Sequence, residues 1–297
     1  MNAESVKARL KNRSKETGKT LQELLTLYGL ERTIYRLSIS EYKKNFTLKG
    51  GIFLYAVFDG DYARSTTDID FLAQGTSNDI SDVKKMFTEV FGIATDDPLV
   101  YDLNSLNVKA ITEFKKYHGV NVSCKAYLDR TEIGISIDIG FGDVIYPQRI
   151  EMEFPTVLSD ERPQVYVYSL CSSIAEKFEA IVSLGEDNSR FKDFYDIVVL
   201  SDTYDFAGQE LSMAVKETFE YRKTSLNEIV AFDSGFSEDK LRQSRWNSFV
   251  KKKKAMIPIA LNETIESVKA FLGPIRDALL KEETFTKNWS HDRHKWV

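Results

Sequence analysis

The sequence predicts an α/β core followed by a C-terminal helical domain, and three observations lead to this prediction. Before about residue 166, apolar residues alternate as they do in strands at several places. After that point they recur at the spacing of helices. The chain has 297 residues, which is about two domain lengths. We therefore expect N-terminal helices over 1–44 that pack on a core over 45–160, and a helical domain over 161–297.

The predicted elements of the first half alternate between helices and strands. Helical spacing covers residues 3–42, where Thr20 and Glu23 form a capping box at the start of the second helix. The sequence then predicts a strand at 46–48, a buried helix at 52–58, a strand at 67–72, a helix at 81–91, and strands at 121–128 and 132–141. In the second half it predicts helices at 169–184, 190–200, 207–223, 237–250 and 262–282.

Composition excludes several classes of protein. With 42% hydrophobic and 29% charged residues, the chain has an ordinary globular profile. We expect no membrane association, because no apolar run approaches the roughly 18 to 20 residues that cross a bilayer. The polar, basic N-terminus is not a secretory signal, and Cys124 and Cys171 cannot form a disulfide framework. We therefore expect a reduced, cytoplasmic protein whose chemistry depends on carboxylates and lysines rather than on its three scattered histidines.

Charge is unevenly distributed along the chain. Residues 1–50 carry 11 Lys and Arg against 5 Asp and Glu, whereas residues 51–160 carry 9 against 18. An acidic middle beside a basic start fits metal binding next to a phosphate-binding surface, but it also fits ordinary solvated surface.

Two glycines between the strand at 46–48 and the following helix predict a phosphate-binding turn. Gly50 and Gly51 allow close approach of a ligand to the backbone, and the helix start offers unpaired N–H groups. Asp68 and Asp70 follow in the next strand, where residues two apart project to the same face. Such a pair is often only a polar strand end, but next to the glycine turn it favours a site for Mg²⁺.

A third carboxylate lies in the strand at 133–139. Isoleucines occupy every second position of this strand, and Asp138 lies on the opposite face with Ser136. If this strand is a neighbour of the one that carries Asp70, Asp138 completes a three-carboxylate site suited to attack on a nucleoside triphosphate. Otherwise Asp138 faces solvent on an edge strand.

These motifs together resemble one family. They comprise Lys49-Gly50-Gly51, the run Arg64-Ser65-Thr66-Thr67-Asp68-Ile69-Asp70, Lys177 on a later helix, and Arg190-Phe191-Lys192-Asp193-Phe194-Tyr195-Asp196. Over residues 45–200 this set is similar to the AbiEii-type nucleotidyltransferases, toxins of type IV toxin–antitoxin and abortive-infection systems within the DNA polymerase β-like superfamily. The resemblance implies a polymerase β-like core with a mixed sheet, completed by the helical domain.

The resemblance also implies roles for individual residues. Asp68, Asp70, Lys177 and Asp193 would be catalytic, and Mg²⁺ or Mn²⁺ would be held by Asp68, Asp70 and Asp138. The nucleotide would be bound by Gly50, Gly51, Thr66, Arg190 and Lys192. From the residues alone, Lys177, Arg190, Asp193 and Asp196 could equally form structural salt bridges between two helices. The chain departs from the family at Ile52, where a small polar residue often follows the glycines.

By resemblance, the enzyme would transfer a nucleoside monophosphate from an NTP to an acceptor, for which we expect tRNA, and so inhibit translation and growth. An antitoxin would be encoded nearby. The basic N-terminus and a late cluster that includes Arg242, Arg245 and the run 251–254 could contact RNA phosphates. The alternatives are transfer to a protein hydroxyl, a non-catalytic NTP-binding regulatory subunit, and a sugar-nucleotide glycosyltransferase.

Overall fold

A computed structural model describes residues 2–62, 66–111, 119–158, 161–252 and 260–297 of the chain. The chain folds into two compact units. The first comprises Met1–Gly142 and Ile150–Tyr168, and the second comprises Asp143–Arg149 and Ser169–Val297. The predicted α/β core followed by helices is confirmed, whereas the sequence-based divisions at residues 44 and 160 stay predictions.

The first unit is a mixed sheet with four helices in its described residues. The helices are α1 (Ala3–Thr17), α2 (Leu21–Ser38), α3 (Gly50–Val57) and α4 (Ile80–Gly92). The strands are β1 (Phe46–Lys49), β2 (Ile69–Ala73), β3 (Leu99–Ile111), β4 (Gly119–Leu128), β5 (Thr131–Phe141), β6 (Ile150–Glu153) and β7 (Gln164–Val167). Within the described part of the chain they form one sheet in the order β3-β4-β5-β2-β1-β7-β6. The pairs β2–β5 and β1–β7 are parallel, and the other neighbours are antiparallel.

Local sequence signals place most elements of the first unit correctly. The capping box at the start of α2 is confirmed: the Thr20 hydroxyl accepts from the Glu23 amide, and the Glu23 carboxylate accepts from the Thr20 amide. The centre of α2 packs against β5, where the lack of a side chain at Gly29 is necessary. A Cβ on Gly29 would lie 2.7 Å from Cγ2 of Ile133, so only glycine permits this close approach.

Strand β3 is not predicted from the sequence, because the alternation of its buried and exposed residues changes phase within the strand. Leu99 and Tyr101 are buried, and after an irregularity in the pairing with β4 between Asp102 and Asn107, Leu106 and Val108 are buried instead. Between Asp102 and Asn107, β3 advances five residues and the paired part of β4 only two, so the register shifts by three. Because three is an odd number, the buried positions shift from odd to even numbers. A period-two pattern applied to the whole segment therefore fails.

The second unit is helical, as predicted, with one small sheet in its described residues. The helices are α5 (Leu170–Leu184), α6 (Phe191–Thr203), α7 (Gly208–Arg222), α8 (Ser234–Glu238), α9 (Lys240–Lys252) and α10 (Leu261–Leu280). Short strands β8 (Phe206–Ala207), β9 (Asn288–Ser290) and β10 (Lys295–Trp296) pair in the order β10-β9-β8. These strands have only two or three residues, too few for a periodic signal. None of the described helices is long and apolar enough to cross a lipid bilayer.

Candidate active site

The glycine turn brings the start of α3 next to a carboxylate of β2. Strand β1 pairs antiparallel with β2 and places Lys49 opposite Asp70. Gly50 then has a φ of +66°, and a Cβ at this position would lie 1.9 Å from Oδ2 of Asp70. Any other residue would therefore be strained and would displace the carboxylate. Since Lys49 at the N-cap makes no side-chain hydrogen bond to the helix start, the first-turn amides of α3 face no competing cap.

Three carboxylates converge at the centre of the sheet. Strand β2 pairs in parallel with β5, and the register sets Asp70 beside Asp138. Asp68 immediately precedes β2, and one carboxylate oxygen from each of the three lies within 4.8 Å of the others. Ile69 lies between Asp68 and Asp70 and is fully buried. Because successive side chains of a strand point to opposite faces, both aspartates project from the face opposite Ile69. The condition set by the sequence, that the two strands be neighbours, is met.

This donor set fits a divalent cation. All three side chains are partly exposed, and they offer the hard, anionic oxygens that Mg²⁺ binds at 2.0–2.1 Å. Two oxygens on opposite sides of such an ion are about 4.2 Å apart, so the observed spacing needs only a small adjustment of side-chain torsions. Without a cation, three converging carboxylates repel one another.

Asn121 holds the third carboxylate, that of Asp138. No sequence motif described above includes Asn121. It lies opposite Asp138 in the β4–β5 pairing. Its Nδ2 donates to Oδ1 of Asp138 at 2.6 Å and to Oγ of Ser136 at 3.1 Å. The signal that could have found it is the hairpin register, since a tight turn between Leu128 and Thr131 sets residue 121 opposite 138.

Thr66 lies before the first aspartate and is almost fully buried. Its hydroxyl donates to the carbonyl oxygen of Asp68 at 3.4 Å, so it contacts the backbone of the turn that leads into β2. The expected contact between Thr66 and a triphosphate stays a prediction. Arg64 and Ser65 of the same motif lie outside the described residues.

A second group of predicted residues comes together in the second unit, on α5 and α6. Lys177 Nζ lies 2.7 Å from Oδ2 of Asp196 and 3.8 Å from Oδ1 of Asp193. Arg190 Nε lies 2.8 Å from Oδ2 of Asp193. Both aspartates are buried, Arg190 is half exposed, and Lys192 is exposed.

Lys177 is buried, unlike Arg190 and Lys192, the other two cations of this group. Its side chain is only 9% exposed, whereas that of Arg190 is 50% exposed. Asp196, in the motif but not among our predicted site residues, accounts for the difference. Its buried carboxylate needs a charged partner, and Lys177 is that partner. The structural salt bridges that the residues alone suggested are therefore present.

Comparison with known proteins identifies the family of the chain that carries these two groups of predicted residues. The family model described as nucleotidyl transferase AbiEii toxin, type IV TA system, matches residues 32–272. The chain belongs to the AbiEii family. It is accordingly a nucleotidyltransferase of a type IV toxin–antitoxin family, which confirms the resemblance in the motifs.

Two solved structures that are similar to this chain come from Helicobacter pylori. One is a protein described as a nucleotidyltransferase, with 14% identity and a TM-score of 0.45 over 86% of this chain and 95% of that chain. Another is JHP933, with 14% identity and a TM-score of 0.45 over 85% of this chain and 91% of that chain. No curated protein matches this AbiEii-family chain.

Proposed function

We propose that this AbiEii-family enzyme is a magnesium-dependent toxin that transfers a nucleoside monophosphate from an NTP to tRNA and thereby stops translation. The observation that carries the proposal is the convergence of Asp68, Asp70 and Asp138 within 4.8 Å. It is supported by the adjoining turn at Gly50, which sets Asp70 beside the start of α3, where the N-cap residue makes no side-chain hydrogen bond.

The proposed reaction forms one bond and breaks one. A hydroxyl oxygen of the acceptor attacks the α-phosphorus of the NTP, a new phosphoester bond forms, and pyrophosphate leaves. Mg²⁺ would be held by the three aspartates and would neutralise charge on the phosphates and on the attacking and leaving oxygens. The backbone amides at the start of α3 would orient the phosphates, and we expect Asp138 to accept the hydroxyl proton.

Asn121 completes this arrangement as a positioning residue. Its amide donates a hydrogen bond to Oδ1 of Asp138, so the other carboxylate oxygen can bind the cation or accept the proton of the acceptor hydroxyl. The roles of Lys177, Arg190, Lys192 and Asp193 in nucleotide binding stay predictions from the family resemblance.

Family membership implies a cognate antitoxin that restrains the enzyme. Because NTPs and tRNA are the proposed substrates, we place the activity in the cytoplasm.

The test is incorporation of each labelled NTP into total tRNA, with Mg²⁺, with Mn²⁺ and with neither ion. Wild type should label tRNA only with a divalent ion, and Asp70→Asn should reduce the rate at least about a hundredfold, since it removes a metal ligand. The matched control is Asp82→Asn on α4, which makes the same charge change at an exposed position.

Equal activity of Asp70→Asn and wild type would overturn the metal site. Label on added protein but not on tRNA would replace the acceptor, and Mg–NTP binding without any transfer would indicate a non-catalytic subunit.

A further inference from the structure

Helix α9 has an unusual charge for this acidic protein. The chain as a whole has a net charge of −5. The 13 residues of α9 contain five Lys and Arg residues and no Asp or Glu. Two of these, Lys240 and Arg242, lie in the first turn, where the helix dipole disfavours positive charge. Local helix energetics therefore do not explain this pattern.

The inner side of α9 is fixed by aromatic contacts. Trp246 is 1% exposed, and its ring lies 5.8 Å from Phe191 of α6 and 5.7 Å from Phe249. Phe249 also lies 5.9 Å from Tyr195. Arg242 belongs to this inner side, since its guanidinium lies over the Phe236 ring and donates to the carbonyl oxygen and carboxylate of Glu186.

The outer side of α9 carries polar side chains, one exposed leucine at Leu241, and no carboxylate. Its exposed polar residues are Lys240, Gln243, Ser244, Arg245, Asn247, Ser248 and Lys251. Within the described part of the chain, Lys240, Arg245 and Lys251 form no ion pair. Lys240 and Lys251 are 11 residues apart, which corresponds to about 16 Å along the helix. Lys253 and Lys254, which continue the run in sequence, lie outside the described residues.

This set of side chains fits a nucleic-acid backbone. Lys, Arg, Ser, Asn and Gln supply most hydrogen bonds to phosphate and sugar in nucleic-acid complexes. The outer side has no aromatic residue on which a base could stack, so it fits contact with phosphates rather than with splayed bases. A basic helix can also bind an anionic lipid surface, but it does so by inserting its apolar side. In α9 that side, formed by Trp246 and Phe249, already packs against α6, and the exposed Leu241 alone does not form an apolar face.

We propose that the outer side of α9 binds the phosphate backbone of the RNA acceptor, and that Lys240, Arg245 and Lys251 supply its charge. This inference rests on the proposed function in that it takes the acceptor to be RNA. Binding would be independent of base sequence and strongly weakened by salt, because each neutralised phosphate releases condensed counterions.

The test combines Lys240→Gln, Arg245→Gln and Lys251→Gln in the full-length protein. Affinity for total tRNA is measured between about 50 and 200 mM salt. The triple variant should bind at least about tenfold more weakly, and the slope of log affinity against log salt should fall by about two to three. In the transfer assay its KM for tRNA should rise, whereas its KM for the NTP should stay unchanged. A thermal melt like that of wild type shows that these exposed changes leave the fold intact.

The control variant removes three exposed charges elsewhere in the second unit, with Lys269→Gln, Lys281→Gln and Lys287→Gln. Equal losses in both triple variants would overturn the α9 surface, because net charge alone would explain them. Binding of wild type, but not of the α9 variant, to phosphatidylserine vesicles in preference to tRNA would assign the helix to lipid.

The two proposals fail differently. If wild type labels tRNA and the α9 variant has an unchanged KM for tRNA, the surface is wrong and the proposed function stands. If wild type binds tRNA through α9 but transfers no nucleotide to it, the surface stands and the proposed function is wrong.

Discussion

At the scale of single residues, the geometry of the candidate site depends on contacts that the sequence motifs alone do not show. The glycine pair predicts a tight approach, but only the structure shows that the space beside Gly50 is filled by Asp70 rather than by backbone. The aspartates could be predicted from their spacing and from the family motif. Asn121 could not, because its role comes from a cross-strand pair 17 residues away in sequence.

Asn121 provides the first prediction at this scale. Asn121→Ala removes the donor to Asp138, so the carboxylate loses its orientation and the proposed metal site loosens. We expect the transfer rate at saturating NTP to fall about ten- to a hundredfold and the Mg²⁺ concentration for half-maximal rate to rise, as is typical when a residue that orients a metal ligand is lost. Initial rates across a magnesium titration measure both quantities.

Ser123→Ala, two residues along the same face of β4, is the matched control and should leave the titration unchanged. An unaltered magnesium requirement in Asn121→Ala, with or without a lower rate, would show that Asn121 has no positioning role.

At the scale of elements, the sequence predicts what local periodicity and capping determine. It gives β4 and β5, whose buried positions alternate, and most helices, whose buried positions recur at helical spacing. It also gives β1 and β2, which are short and largely buried. It misses β3, whose bulge inverts the alternation, and β6 and β7, whose four residues each are too short to read. The salt bridges between α5 and α6 are one of the alternatives that the residues leave open. The sequence does not show that Lys177 lies closer to Asp196 than to Asp193.

That contact predicts how much α5 and α6 depend on one charge. Lys177→Met leaves the fully buried Asp196 without its cation, and breaking a buried pair in this way costs about 3–5 kcal/mol of unfolding free energy. Urea unfolding followed by tryptophan fluorescence reports the loss. Trp246, which packs on Phe191 at the start of α6, contributes to this signal.

The double variant Lys177→Met/Asp196→Leu should recover much of this stability, since it removes the buried carboxylate together with the lysine and keeps the volume apolar. Additive losses in the double variant would mean that the two side chains are not coupled, and that the salt bridge contributes nothing beyond packing.

At the scale of the whole molecule, three clusters of charged side chains differ in their surroundings. Three carboxylates in and beside the large sheet converge on one site, and Lys240, Arg245 and Lys251 of α9 are exposed. A third cluster holds the crossover segment Asp143–Arg149, which follows β5 in sequence but belongs to the second unit. There Arg222 contacts the carboxylates of Asp143, Glu176 and Glu179 at 2.8–3.1 Å. One guanidinium thus connects this segment to α5.

Another buried charge lies on the first unit and couples its folding to pH. Glu31 of α2 is 1% exposed, and its Oε2 accepts from the amide of Val157 at 2.6 Å. Within the described residues, Oε1 has no hydrogen-bond partner, and Arg32 Nη1 lies 3.6 Å away. Burial outweighs these favourable contacts and raises the pKa of Glu31 to about 7.

Because the pKa of Glu31 is raised, we predict that its contribution to the free energy of unfolding falls as the pH rises. Between the ordinary pKa of 4.5 and about 7, the folded state binds the Glu31 proton more tightly than the unfolded state does. The contribution of Glu31 is therefore fully present below pH 4.5 and is lost as the pH rises through about 7. In Glu31→Gln, which stays neutral, the free energy of unfolding relative to wild type should rise by about 1–3 kcal/mol between mildly acidic and mildly alkaline solution. Urea unfolding followed by circular dichroism measures this difference at each pH. A constant difference would mean that Glu31 is ionised throughout, held by Arg32.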